Sequence, residues 1–320
     1  MPLYGNKENL HINLSEASLI FNQQMNTILN IRAALLLIGF LVLGGIPFLG
    51  CRQSSPKVRI GCKNFTEQLI LGEIIAQAIQ KVAPEIPIEK KWGFGSTPLI
   101  HEALLHGEID LYIEYSGTAE QLILKSPHKL SKEDLDFQYQ TQFQSQWLPA
   151  LGFSNGYVLI VRKDSTLPSK LSECAPLISL QKAGFNAEFS NRPDGFPLIQ
   201  KYYQLRFQSV VNLDVGLLYP ALESKKVDLI SGFSTDAKLN LTKYRSLEDD
   251  LQISPRYEAA PVVRIETLNK YPSLKPALQR LSGKISESTM RTLNAAVEID
   301  HKSPYDVAQQ WIEQQFSHQK

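Results

Sequence analysis

The sequence predicts an α/β fold built from two similar lobes joined by a hinge. From Val58 onward, short apolar strands alternate with amphipathic helices, the order of a largely parallel sheet. A segment near residue 100 returns in weaker form 118 positions later. At 320 residues the chain is also long enough for two cores, at roughly 100–200 residues per domain.

"VRIGC" opens as a strand, with Val58, Ile60 and Cys62 alternating. "FTEQLILGEIIAQAIQKV" follows as a helix whose Leu69, Ile70, Ile74 and Ala78 share one side. Asn64 or Thr66 is the expected cap, and Glu67 suits the positive end of the helix. "IPIEKKW" is a second strand. "STPLIHEALLHGE" is a helix with Pro98 in its first turn, where proline is tolerated. "IDLYIEY" is the third strand, and its alternation stops at Tyr115, just before Ser116, Gly117 and Thr118.

A second unit begins with the strand "GYVLIVRK" and continues through "FNAEFSNRPDGFPLIQKYYQL", a loop and helix, to the strand "VVNLD". "LLYPALESKKVDLISGFSTDAK" then repeats the earlier helix, turn and strand. At the shift of 118, Ala221 and Leu222 fall on Ala103 and Leu104, Asp228 on Asp110, and Phe233 on Tyr115. "AAPVVRIETL" and the helices beyond it, including "ISESTMRTLNAAVEID", are expected to return to the first lobe. Crossovers near Ser154 and Tyr257 give lobe 1 as residues 58–154 plus 258–320 and lobe 2 as 155–257. Ligands of open α/β sheets lie beyond the carboxyl ends of the strands, so Tyr115 and Phe233 face one cleft from opposite walls.

The N-terminal segment has a different character. "AALLLIGFLVLGGIPFLGC" follows Arg32 and carries no charge before Arg52. A basic residue, an apolar run and small residues describe an export signal over residues 1–51. "FLGC" resembles a bacterial lipobox, which makes Cys51 the lipidated residue, although Phe48 stands where Leu is usual. Residues 52–57 form a tether, and Met25 is the expected start, leaving 1–24 outside the protein. An uncleaved anchor is the alternative, though the uncharged run is short for a span of ~20 residues. Either reading places the folded part outside the cytoplasm.

The formal net charge is +1, with 43% hydrophobic residues and no basic block, which argues against a nucleic-acid partner. "GFGSTP" lacks the third glycine of a dinucleotide loop, and no metal-ligand spacing or nucleophile motif is found, so neither a cofactor nor catalysis is expected. Besides Cys51 there remain Cys62 and Cys174. A disulfide between them stays open, with two buried free thiols as the favoured reading.

The ordered set "VRIGCKNFTEQLILGEIIAQAI", "HGEIDLYIEYSGTA", "SNRPDGFPLIQKYY", "VDLISGFSTDAKL" and "PRYEAAPVVR" resembles the substrate-binding proteins of osmoprotectant ABC importers. The resemblance covers Val58 to the C-terminus and implies a type II periplasmic-binding-protein fold that closes on its ligand. It implies a lipid-anchored, non-catalytic monomer that carries a quaternary ammonium compound to a membrane permease. It places Tyr115, Tyr157, Phe233 and Tyr257 in an aromatic box, with Phe189 as a further apolar wall. Lys63, Thr118 and Arg192 become donors to a ligand carboxylate. The family usually shows Tyr at the position of Phe233. A ligand sensor, a choline-preferring binder and an enzyme on the same fold are the alternatives.

Overall fold

The computed structural model describes residues 57–126 and 128–316, together with Met25. The export signal, Cys51 and the tether through residue 56 lie outside the described residues. Among the described residues, no helix is long and apolar enough to cross a membrane.

Ten strands make two five-stranded sheets among those residues. In chain order, the first five are β1 (Val58–Cys62), β2 (Ile88–Trp92), β3 (Leu111–Tyr115), β4 (Ser145–Trp147) and β5 (Tyr157–Arg162). The rest are β6 (Lys182–Phe185), β7 (Ser209–Asn212), β8 (Leu229–Phe233), β9 (Tyr244–Ser246) and β10 (Ala259–Arg264). Strand order is β2-β1-β3-β10-β4 in one sheet and β7-β6-β8-β5-β9 in the other. Each has three parallel strands followed by an antiparallel one that has just crossed from the other lobe: β10 beside β3, and β5 beside β8. The sheets are therefore mixed where the alternation of elements suggested mostly parallel ones.

The internal repeat is real at the level of elements. Helices α1 (Thr66–Val82), α2 (Thr97–Leu105) and α3 (Val215–Glu223) precede α4 (Glu287–Glu298) and α5 (Pro304–Phe316). Both the pair α2 and α3 and the pair β3 and β8 are related by the shift of 118.

Helix α1 buries Ile70, Leu71, Ile74, Ile75 and Ile79 in a core shared with β1 and β3. Burying each such side chain contributes ~1.5–3 kcal/mol. Met290 and Leu293 of α4, with Trp311 and Ile312 of α5, pack in the same core. Leu159, Val161, Phe185, Phe189 and Leu229 belong to a separate core in the second. Between the lobes, Ser154 and Glu258 form an isolated antiparallel bridge, and the Asn155 N–H donates to the Tyr257 carbonyl at 3.0 Å.

One local expectation changes, at the helix cap, and one holds, at the cysteines. Helix α1 is capped by Phe65 in extended backbone, without a side-chain bond, so the cap falls on the residue between Asn64 and Thr66. The two cysteines are free and buried, Cys62 at the end of β1 and Cys174 in the core of the second lobe. Burial pushes the Cys62 thiol up to about 12 and the Cys174 thiol up to about 11.

Candidate functional site

A cavity of about 730 Å³ opens between the lobes at the carboxyl ends of β1, β3 and β8. Tyr115, Tyr157, Phe233 and Tyr257 all line it, as do Lys63, Thr118 and Arg192. Seven of the eight residues singled out from the sequence therefore share one space. Phe189 does not line it. Its ring is fully buried, tilted against Tyr157 at 5.1 Å and edge-on to Phe185, so it backs the wall and is not itself the wall. The Asn186 side chain caps its helix at the Phe189 N–H, which turns the ring into the core.

Strand register explains the aromatic placements. Tyr157 opens β5 and Phe233 closes β8, where the two are direct cross-strand partners; their rings stack at 4.9 Å. Tyr115 closes β3 opposite Ala259, two residues past Tyr257. After Tyr115 the chain turns sharply, held by the Ser116 hydroxyl donating to the Arg256 carbonyl at 2.6 Å and the Ser116 N–H donating to the Glu258 carbonyl at 3.0 Å. Gly117 follows at the Tyr257 ring; a Cβ there would lie 2.8–3.0 Å from ring carbons, so only glycine admits the ring. Thr118 makes no helix-capping bond.

Two of the three expected donors, Lys63 and Arg192, are already engaged. Lys63 is buried, and its ammonium donates to Glu114 Oε1 at 2.6 Å and to Thr97 Oγ1 at 2.9 Å, while lying 5.2 Å from the Tyr115 ring centre. A buried ammonium requires a counter-charge, and Glu114 of the neighbouring strand supplies it. Arg192 makes a two-bond clasp with Asp194, at 2.9 and 2.8 Å, and a further bond to Glu188 at 3.0 Å. The clasp raises the Arg192 guanidinium above its usual pKa. Asp194 also accepts from the Tyr257 hydroxyl. Lys63 and Arg192 are thus partners in internal ion pairs, not free cations.

Several residues of the site were not singled out from the sequence. Glu67, read as a helix-terminus acid, lines the cavity at 3% exposure. It accepts from the Tyr115 hydroxyl at 2.7 Å, Asn155 Nδ2 at 3.0 Å and Asn294 Nδ2 at 3.0 Å. Burial pushes its carboxyl above the ordinary range, and bonds from Tyr115, Thr235, Asn294 and Asn155 pull back against that. Asn294 also donates to the Thr235 carbonyl at 2.9 Å, joining α4 to the loop after β8. Asp236 lines the cavity and accepts from the Phe233 N–H and the Tyr219 hydroxyl; burial pushes it up to about 6. The position of Glu67 inside "FTEQ" was its only visible signal, and nothing in the sequence pointed to Asn294.

Residues 56–314 match a family described as the substrate binding domain of the ABC-type glycine betaine transport system. A Helicobacter pylori (strain G27) protein named ergothioneine transport permease/ergothioneine binding protein EgtU is 36% identical over 267 residues, 82% of this chain. The chain spans 48% of that relative's length. The carnitine transport binding protein OpuCC of Listeria monocytogenes is 30% identical over 285 residues, 86% of this chain and 91% of OpuCC. A solved structure of a glycine betaine/carnitine/choline ABC transporter superposes with a TM-score of 0.75 at 28% identity, covering 81% of this chain and 98% of the other.

Proposed function

The chain belongs to the family of substrate-binding domains of ABC-type glycine betaine transport systems, and we propose that its cavity holds a quaternary ammonium compound within an aromatic box. Proteins of this family bind and deliver a solute outside the cytoplasm and are not enzymes; their partners are a small ligand and a membrane permease. A monomer lipidated at Cys51 is the form we propose for this chain.

The observation that carries the reading is the convergence of Tyr115, Tyr157, Phe233 and Tyr257 on one cavity from both lobes. A trimethylammonium group carries charge but no N–H, so hydrogen bonding cannot orient it. Aromatic faces offer a negative quadrupole and apolar contact together, worth ~0.5–2 kcal/mol per ring. Glycine betaine, carnitine and ergothioneine, the compounds in the names above, share a trimethylammonium group and a carboxylate. For the carboxylate we assign Arg192 and Thr118 as donors; Lys63 has two of its three hydrogens committed. A second reading, a choline-preferring binder, is favoured by the internal pairing of both cations, because choline brings no carboxylate to compete for them.

Calorimetric titration of the purified protein with glycine betaine, proline betaine, carnitine, ergothioneine and choline tests the reading. Micromolar binding of at least one, about −8 kcal/mol, is expected. Silence toward all five defeats it.

A further inference from the structure

We infer that the two lobes are held together by a latch of the protein's own, the Asn294 side-chain amide of the first lobe bonded to the Thr235 carbonyl of the second, and that this latch sets how much of the protein is closed and ready to bind before a ligand arrives. The latch stands apart from the box reading: it lies between protein groups, and a measurement without ligand tests it first.

Asn294 sits where helical spacing calls for an apolar residue. It follows Met290 by one turn of α4 and adjoins Leu293, and both of those pack with β1 and β3. Asn294 is itself buried. A buried amide is costly unless its hydrogens find acceptors, and both hydrogens of this one do. One goes to Glu67 Oε2 at 3.0 Å, within the first lobe. The other crosses to the Thr235 carbonyl at 2.9 Å, in the loop after β8. Thr235 is 2% exposed, so the crossing bond is shielded from bulk water. Parting the lobes leaves that hydrogen and that carbonyl to be hydrated instead.

The neighbours of Thr235 make the contact a seam. The Ser234 hydroxyl donates to the Ser154 carbonyl at 2.9 Å, and the Ser234 N–H donates to the Gly156 carbonyl at 2.9 Å, which ties the loop to the hinge. Ala237 is buried at the start of a short 3₁₀ turn, Ala237–Asn240. Beyond it, Asn240 and Leu241 share a groove with Thr292 and Ala296 of α4. On the other side, Thr235 and Asn294 line the ligand cavity. The seam therefore runs between two open spaces, where a hinge rotation would part it. Glu67 links it to the box, because its second oxygen accepts from the Tyr115 hydroxyl at 2.7 Å. A ligand that requires the closed form binds with an apparent Kd raised by the inverse of the closed fraction, a factor that is the same for every ligand.

The test compares the parent protein with Asn294→Leu, which keeps the volume and removes both donors, and with Asn294→Asp, which keeps the shape and sets a second carboxylate against Glu67. A single cooperative melt establishes that each variant is folded; where one is not, the other decides. Small-angle X-ray scattering of the ligand-free proteins is expected to give a larger radius of gyration for both variants, the larger for Asn294→Asp. Affinities for glycine betaine, carnitine and choline are expected to fall about fivefold or more, and by one common factor. Ligand-free scattering that is the same in the parent and the folded variants overturns the latch. So does an unchanged affinity, and so does a loss confined to one compound, which would make Asn294 a ligand contact. Silence of the parent toward all three compounds defeats the box reading and leaves the scattering to decide the latch.

Discussion

The ammonium of Lys63 lies 2.6 Å from Glu114 Oε1, with the two side chains only 6% and 0% exposed. The ion pair joins the end of β1 to β3, with the ammonium 5.2 Å from the ring centre of Tyr115. Removing one partner strands the other charge in a dry interior. Glu114→Gln is therefore expected to lower unfolding stability by about 3–5 kcal/mol in urea titration. A double variant, Lys63→Met with Glu114→Gln, should lose less than the two single losses together. Additive losses would show that the two charges do not depend on each other.

Tyr115→Ala should weaken ligand binding at least tenfold, or ~1.4 kcal/mol, by calorimetry. An unchanged affinity in a folded variant would remove Tyr115 from the box. Tyr115→Phe keeps the ring and drops the bond to Glu67. It should therefore lose less affinity than Tyr115→Ala.

Gly117→Ala tests the packing behind the box. The added methyl would meet the Tyr257 ring at 2.8–3.0 Å, and that ring is 5% exposed, so it must shift to make room. We expect at least a tenfold loss of affinity and a stability loss of about 1–3 kcal/mol from overpacking. Wild-type affinity in this variant would show that Tyr257 moves without consequence.

Arg192→Ala separates the two ligand readings. If Arg192 donates to a ligand carboxylate, glycine betaine binding should fall at least tenfold more than choline binding. Equal losses would assign Arg192 to the Asp194 clasp alone.

Asp236 gives a pH dependence with a defined sign. Its carboxyl is pushed from 3.8 up to about 6 in the folded protein, so the folded state holds the proton more tightly than the unfolded chain. Its contribution to stability is full below pH 3.8 and is lost as pH rises toward 6. A shift of that size corresponds to roughly 3 kcal/mol. Asp236→Asn removes the dependence, and the variant should gain stability relative to the parent between pH 4 and 7. Parallel stability curves for the two proteins across that range would refute the assignment.

Much of the site was legible because it is written in local sequence. Tyr115 and Phe233 end equivalent strands, and a period-2 pattern followed by a polar turn marks such an end without knowledge of the fold. Tyr157 and Tyr257 entered through the resemblance, and the crossover register accounts for them: both precede or open the strands that switch lobes. Phe189 was misplaced for a physical reason. An aromatic residue in a motif and an aromatic residue behind one look alike until the Asn186 cap fixes which way the ring turns.

The sequence by itself determined the alternation of strands and helices, the 118-residue repeat and the aromatic character of the cleft, because each depends on neighbours a few positions away. Tertiary structure alone decided the charges. Lys63 meets Glu114 across 51 positions, and Glu67 meets Asn294 across 227. Whether a buried charge is free for a ligand or spent on a partner is fixed by desolvation and by what the fold brings within 3 Å, and linear order carries no record of either.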